Sequence, residues 1–240
     1  PFSETALPMA KAALKTGCHY FDITGEIGVF RDLHKLHNEA KSAHSALIPG
    51  LGFDIAPSDC LAKLVADRVK DPQSLVLAVI PKGTRPSHGT LKTALLGLGH
   101  QPRARRKGGI ALIQAEEPRH RIQVNGRDIA CVRAPLPDLF CAFFSTGIEN
   151  IDTYLAMPPQ MQKIAKLMPL FNKLKKISLF HMMVSKMIEL LPNGPSETQQ
   201  LNGRAIIYAK AESKEGSQSA IMTTKEPYAY TADLIINATK

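Results

Sequence analysis

The chain of 240 residues is 44% apolar and 21% charged, and 30 Lys and Arg against 21 Asp and Glu give a net charge of +9. Such a chain buries a core, which excludes a disordered tail, a coiled coil and a collagenous rod. The length allows one large domain or two modest ones, and no window holds the ~18 uninterrupted apolar residues that a membrane-spanning helix needs.

In chain order, residues 10–15 are rich in Ala, Leu and Lys and predict a helix, ended by Gly17 at the C′ position. Residues 19–23 are aromatic and β-branched and predict a strand, broken at Thr24-Gly25-Glu26. Residues 32–44 lack Gly and Pro and place Leu33, Leu36, Ala40 and Ala43 on one stripe, which predicts a helix. A second buried strand over 46–48 stops at Pro49-Gly50. Pro57, Ser58 and Asp59 then open a helix carrying Leu61, Leu64, Val65 and Val69, their oxygens expected to meet its unpaired amides. Helix–strand–helix–strand–helix with short connections implies neighbouring parallel strands.

Beyond residue 72 the texture changes. Strands are predicted over 75–80, 109–113, 121–124, 129–133, 152–157, 205–211 and 219–224, a helical stretch over 160–191, and a closing helix over 230–238. The whole reads as α/β followed by an α+β domain with a mixed or antiparallel sheet.

The charge raises the question of an anionic partner, but the basic residues are spread out and no nucleic-acid-binding motif accompanies them, so nucleic acid is not expected. Arg103, Arg105, Arg106 and Lys107 read as a solvated loop or helix face. The segment 160–191, with five Met residues and six Lys from 163 to 186, reads as core or a homodimer contact, or alternatively as a peripheral contact with lipid. Cys18, Cys60, Cys131 and Cys141 form no Cys-x-x-Cys, which suits a reduced, cytoplasmic protein. His34 and His37 lack a third ligand at suitable spacing, so no metal is expected.

The Gly-x-Gly-x-x-Gly of a dinucleotide site does not occur; Gly50-Leu51-Gly52 and Gly97-Leu98-Gly99 lack the third glycine. Two polar turns instead follow the two predicted parallel strands, one running from Asp22 to Glu26 and one from Gly50 to Asp54. Ligands of open α/β sheets bind outside the carboxyl ends of strands, where glycine admits a planar ring and a carboxylate orients polar groups. The plainer alternative is that Asp22 and Asp59 cap helices while Glu26 faces water.

Cys18-His19-Tyr20-Phe21-Asp22-Ile23-Thr24-Gly25-Glu26 resembles the H-Y-x-D-x-T-G-E segment of saccharopine dehydrogenase-like oxidoreductases, and Gly52-Phe53-Asp54-Ile55-Ala56-Pro57-Ser58-Asp59 is similar to their G-F-D-x-x-P-S-D. Ser87-His88-Gly89-Thr90, Ser145-Thr146-Gly147-Ile148, Gly194-Pro195-Ser196 and Glu226-Pro227-Tyr228 match in order, and the branch resembled is the one that includes trans-acting enoyl reductases. The resemblance implies that residues 1–72 are the C-terminal half of a Rossmann-like parallel sheet whose front lies upstream of Pro1, and residues 73–240 an α+β substrate and dimerisation domain with its last helix packed back. It implies NADP or NAD as cofactor, with Asp22, Thr24, Gly25, Gly52 and Phe53 toward the nicotinamide. Ser58, Ser87, Gly89 and Thr90 would border a small-molecule or acyl substrate, and Asp54, Glu26 and His88 are the candidate acid–base groups. The implied reaction is hydride transfer to or from C=N, C=C or C=O; the rival reading is a non-catalytic interaction or lipid-associated module.

Overall fold

A computed structural model describes residues 2–97, 102–113, 120–124, 126–156, 186–238 and 240; of residues 93–97 it describes the backbone only. Helix α1 (Phe2–Thr16) leads through Gly17, at φ +68°, into β1 (Tyr20–Phe21). It begins more than two turns earlier than its Ala/Leu/Lys composition suggested, because Pro8 lies within it with its side chain in solvent. Its Ala6 and Ala10 pack on Val29, Leu33 and Leu36.

The single helix expected over 32–44 is two: α2 (Ile27–His34) and α3 (His37–Ser42). The break has a packing cause. The Leu36 amide bonds back only three residues, to the Leu33 carbonyl, and that tightened turn drops Leu36 into the same apolar cluster as Leu33. Strand β2 (Leu47–Ile48) then returns parallel to β1, with Tyr20 opposite Leu47 and Phe21 opposite Ile48, as the alternation of elements predicted.

The remaining strands form one mixed sheet. At its centre, β3 (Ser74–Lys82) runs parallel to β8 (Ile151–Ala156) and antiparallel to β9 (Arg204–Glu212), which pairs in turn with β10 (Ser217–Lys225). On the far side of β8 lie β4 (Arg103–Arg106), with β5 (Gly109–Leu112), and β7 (Arg127–Arg133), with β6 (His120–Val124). The alternation of β3 explains its unbroken apolar reading. Leu75, Leu77 and Val79 face one core cluster, while Ala78 and Ile80, beside Val76, face another.

Helix α4 (Ala56–Ala66) covers the first of these faces with Leu61, Ala62, Val65 and Ala66, joined there by Leu139 and Ala142 of α6 (Asp138–Thr146). Each such fully buried Leu or Val contributes roughly 1.5–3 kcal/mol. The first turns after β1 and β2 are thereby fixed against the large sheet. Helix α5 (His88–Gly97), helix α7 (Glu197–Asn202), capped by Ser196 and Gln199, and helix α8 (Pro227–Ala238) follow, and residues 186–190 are also helical.

The basic run at residues 103–107 is not a solvated loop. It is strand β4, turning through Lys107 and Gly108, both at positive φ, into β5. Arg105 is only 5% exposed: its Nε donates to the Leu139 carbonyl, and its guanidinium stacks 4.2 Å over the Phe143 ring. Arginine hides a strand here because its charge conceals an alternation that its long stem and planar head allow it to satisfy. The expectations for 160–185 fall outside the described residues. Among those described, no helix is long and apolar enough to cross a membrane.

Candidate functional site

The Asp22 carboxylate ties the two turns together. Its Oδ1 accepts hydrogen bonds from the Thr24 amide at 2.9 Å and the Gly50 amide at 2.8 Å, and its Oδ2 accepts from the Tyr20 hydroxyl at 2.7 Å. The backbone repeats the link, because the Leu51 amide donates to the Asp22 carbonyl. Burial and the neighbouring carboxylate raise the Tyr20 hydroxyl's pKa, which keeps it a donor. Gly50 sits at φ +70°, and a Cβ there would lie 2.4 Å from Ile55 Cδ1 and 2.5 Å from Phe30 Cζ, so the junction requires glycine. Asp22 is therefore engaged within the protein, at 8% exposure, and orients the turns rather than reaching outward.

Thr24 is fully buried, and its hydroxyl accepts the Glu26 amide. Half-buried Glu26 accepts from the Phe2 amide at 3.0 Å, in the first turn of α1, where the helix dipole favours an anion. Gly25, Ile23 and Asp54 remain exposed. They form the outward side of the corner, where a Cβ on Gly25 would stand 3.4 Å from Asp54 Oδ2 and 3.9 Å from Pro137 Cγ. Lost hydration in this corner pushes the Asp54 carboxyl above the usual carboxylate range.

Gly52 and Phe53 belong to the same corner from behind. The Phe53 amide donates to the Thr231 hydroxyl of α8 at 3.0 Å, and its ring packs into the core edge-on to Tyr230. That ring is consequently not a surface for a ligand. Three residues earlier on α8, Tyr228 holds the other predicted segment. Its hydroxyl accepts the Ser87 amide at 2.8 Å and lies 3.1 Å from the Thr90 hydroxyl, itself 3.1 Å from the Ser87 hydroxyl. Tyr228 and Thr231 are about one helical turn apart, so α8 brings Ser87 and Thr90 to the same side as the Gly52–Phe53 turn. Glu226, wholly buried, caps α8 by accepting the Tyr228 and Ala229 amides and the Thr84 hydroxyl.

Two candidates lie elsewhere in this arrangement. The His88 ring Nε2 is 2.6 Å from the Leu191 carbonyl and its amide donates to Asn193, which anchors the start of α5 to the 191–193 segment; exposed Gly89 sits beside it. Ser58 is sealed at 1% exposure and donates to the Ile55 carbonyl. No side chain caps α4, contrary to the expectation for Pro57-Ser58-Asp59: Asp59 Oδ2 instead accepts from the Ser145 hydroxyl of α6 at 2.6 Å. His34 packs on Phe144 with ring centres 4.5 Å apart, and no cluster of three or more His, Cys, Asp or Glu suited to a metal ion occurs among the described residues.

Sequence reasoning missed Asp138. It opens α6 at 0% exposure, and among the described residues neither carboxylate oxygen accepts a hydrogen bond of full geometry, the nearby donors being the Ser58 hydroxyl and its own amide. Burial pushes its pKa up to about 7, with the nearby Asp59 and Asp54 adding to the rise; the Ser58 hydroxyl and Asp138's own amide offset it in part. Asp59 is raised in the same way by burial. In sequence, an Asp at the head of an apolar stretch looks like an ordinary helix start, and only the packing of α4 on α6 reveals its burial.

No family model matches the chain. Over 62 residues, 25% of its length, the chain is 39% identical to the trans-acting enoyl reductase of Mycobacterium leprae (strain TN), and this stretch spans only 14% of that relative. Against the crystal structure of GenD2 from gentamicin A biosynthesis in complex with NAD, the chain aligns over 96% of its own length and 64% of that chain, at 10% identity and a TM-score of 0.34, too low to carry an argument. In sequence, then, the chain is similar over a quarter of its length to an enoyl reductase.

Proposed function

We propose that this chain is part of a nicotinamide-dependent oxidoreductase of the saccharopine dehydrogenase-like kind, acting on the double bond of an acyl or other small-molecule substrate. The observation that carries the reading is the corner itself: two parallel strands whose following turns are locked side by side by Asp22, leaving Ile23, Gly25 and Asp54 turned outward. The partial likeness to a trans-acting enoyl reductase supports it.

These residues fit the ring end of such a cofactor. Gly25 offers bare backbone, Ile23 an apolar side chain and Asp54 a carboxyl group; the sequence has no Gly-x-Gly-x-x-Gly to hold a diphosphate. When bound, the dihydronicotinamide would supply a hydride. The chain's own part is orientation and proton management. The hydroxyls of Ser87, Thr90 and Tyr228, already within hydrogen-bonding distance of one another, would receive a substrate carbonyl. Asp54, with its raised pKa, would hold the proton delivered beside the hydride. His88 and Ser58 have no part in this mechanism.

The test is a fluorescence titration of the full-length protein with NADPH and with NADH. Saturable binding of one of them is expected, weakened at least tenfold by Gly25→Val, which puts bulk where the ring would lie. Failure of both dinucleotides to bind would remove the proposal.

A further inference from the structure

A groove of about 610 Å³ lies between a wall formed by α2 and α3 and a wall formed by α4 and α6, with β2 running along it. That volume is ordinary for a small-molecule site, about 300–1,000 Å³. Every residue from Ser45 to Leu51 borders it. Successive side chains of a strand point to opposite faces, so a groove that meets them all follows the edge of β2. The chain turns back between α3 and β2, and a Cβ on Gly50 would touch Phe30, so α2 and α3 run beside β2 in the opposite direction. Phe30 and Gly50 therefore mark one end of the groove, and Lys41 and Ser45 the other.

Between those ends the lining is apolar, with Leu33 and Phe140 beside Phe144, at 52% exposure, and Ile48, at 40%. A contiguous apolar strip left to solvent marks a site for an apolar occupant. The charges say which. On α2, Arg31 and Lys35 stand outside the groove and both pair with Asp32. His34, His37 and Lys41 line it, and none of the three forms an ion pair among the described residues. The acid that lines the groove, Asp59, stands on the opposite wall, where it accepts the Ser145 hydroxyl. An anion is thus disfavoured beside Asp59 and favoured at the end held by His37 and Lys41.

A peptide strand added to β2 fits poorly. The Tyr20 and Asp22 amides donate to the carbonyls of Ala46 and Ile48, so those residues face β1 and Leu47 faces the groove. Two residues further on, Pro49 has no amide hydrogen to offer, which leaves Leu47 as the one strand donor along this edge. What fits is a narrow molecule that needs apolar contact along its length and a cation at one end.

We propose that this groove binds a free long-chain carboxylate, its head group at His37 and Lys41 and its tail laid along Phe144 and Phe140 toward Phe30. The site shares Gly50 and Leu51 with the second turn of the corner but includes none of Ile23, Gly25 or Asp54, so it is separate from the place assigned to the cofactor.

The test adds cis-parinarate, a fluorescent polyene carboxylate, to the full-length protein and displaces it with competitors. Saturable binding is expected, with displacement by laurate. Hexanoate, too short to span the apolar lining, and dodecyltrimethylammonium, of the opposite charge, should each compete at least tenfold less well. Lys41→Glu and Phe144→Glu should each weaken binding at least tenfold while leaving dinucleotide binding as in wild type. If Phe144→Glu does not fold, intermolecular NOEs in wild type from the laurate methylenes to the rings of Phe140 and Phe144 locate the tail. Absence of saturable binding, equal competition by the ammonium, an affinity unmoved by Lys41→Glu, or NOEs to other rings alone would each overturn the proposal. Flotation with phosphatidylglycerol vesicles in place of parinarate binding would overturn it in favour of a membrane surface, and a dimer that laurate cannot compete with would do so in favour of a second copy. Loss of dinucleotide binding with laurate binding intact removes only the oxidoreductase reading.

Discussion

Two aspartates, Asp22 and Asp138, are both buried and have different surroundings. Asp22, between β1 and β2, accepts three hydrogen bonds, two from backbone amides and one from a phenol. Asp138, at the head of α6, accepts no hydrogen bond of full geometry among the described residues, with only the Ser58 hydroxyl and its own amide near it, and lies in the field of Asp59 and Asp54. A buried carboxylate surrounded by donors becomes a fastener. One taken out of water beside other acids holds its proton to higher pH. Burial alone therefore says little about an acid's role; the sign of what surrounds it decides.

The largest effect separating the two is expected at Asp22. Asp22→Ala leaves two buried amides without an acceptor, at roughly 1–3 kcal/mol each, and should cost on the order of 4 kcal/mol in denaturant unfolding. A loss below about 1 kcal/mol would show that the turns do not depend on the fastener. Asp138→Asn should act in the other direction and only above acid pH. The folded-state pKa is raised to about 7 from 3.8, so the unfolded chain releases this proton near pH 4 while the folded chain retains it. Stability is full below pH 4, falls as pH rises toward 7 and then levels, and a displacement of that size amounts to on the order of 4 kcal/mol. The amide, which never ionises, should flatten this decline and make the variant the more stable at pH 8. Parallel stability–pH curves for the two proteins would contradict the contrast.

Smaller effects sharpen it. Gly50→Ala forces an L-residue into positive φ and drives a methyl group toward Ile55 and Phe30, at a cost of about 2–3 kcal/mol, measurable as a lowered unfolding midpoint with unchanged slope. Ser145→Ala removes the one donor to Asp59 and should cost about 1 kcal/mol while raising the Asp59 pKa further, visible as a shifted carboxyl resonance in an NMR titration. If that resonance stays in place, Ser145 is not what holds Asp59 partly in check.

Much of the frame was legible before any coordinates. The aromatic and β-branched residues around Tyr20-Phe21 and Leu47-Ile48, alternating with helices, marked a parallel pair, and the apolar run at residues 75–80 marked a strand, whose burial on both faces the structure then showed. Both turns were identifiable because Gly, Thr and carboxylates cluster just after those strands. Strand β4 was hidden because an arginine run reads as solvent-facing until Leu139 and Phe143 are brought over Arg105. The split between α2 and α3 has no Gly or Pro to announce it and follows from Leu36 seeking the cluster on α1. Ser58 and Asp59 looked like the opening turn of a capped helix, but α6 lies where they point, and Ser145 takes Asp59 for itself.

The linear order of residues determined local elements and the places where the chain had to turn, since these depend on periodicity and backbone freedom over a few neighbours. Tertiary structure alone decided which acids are fastened and which are isolated. The donors of Asp22 come in part from Gly50, and the acids around Asp138 come from positions 54 and 59, so the environment that sets each proton's fate is assembled only when α4 settles between the small parallel pair and the large sheet.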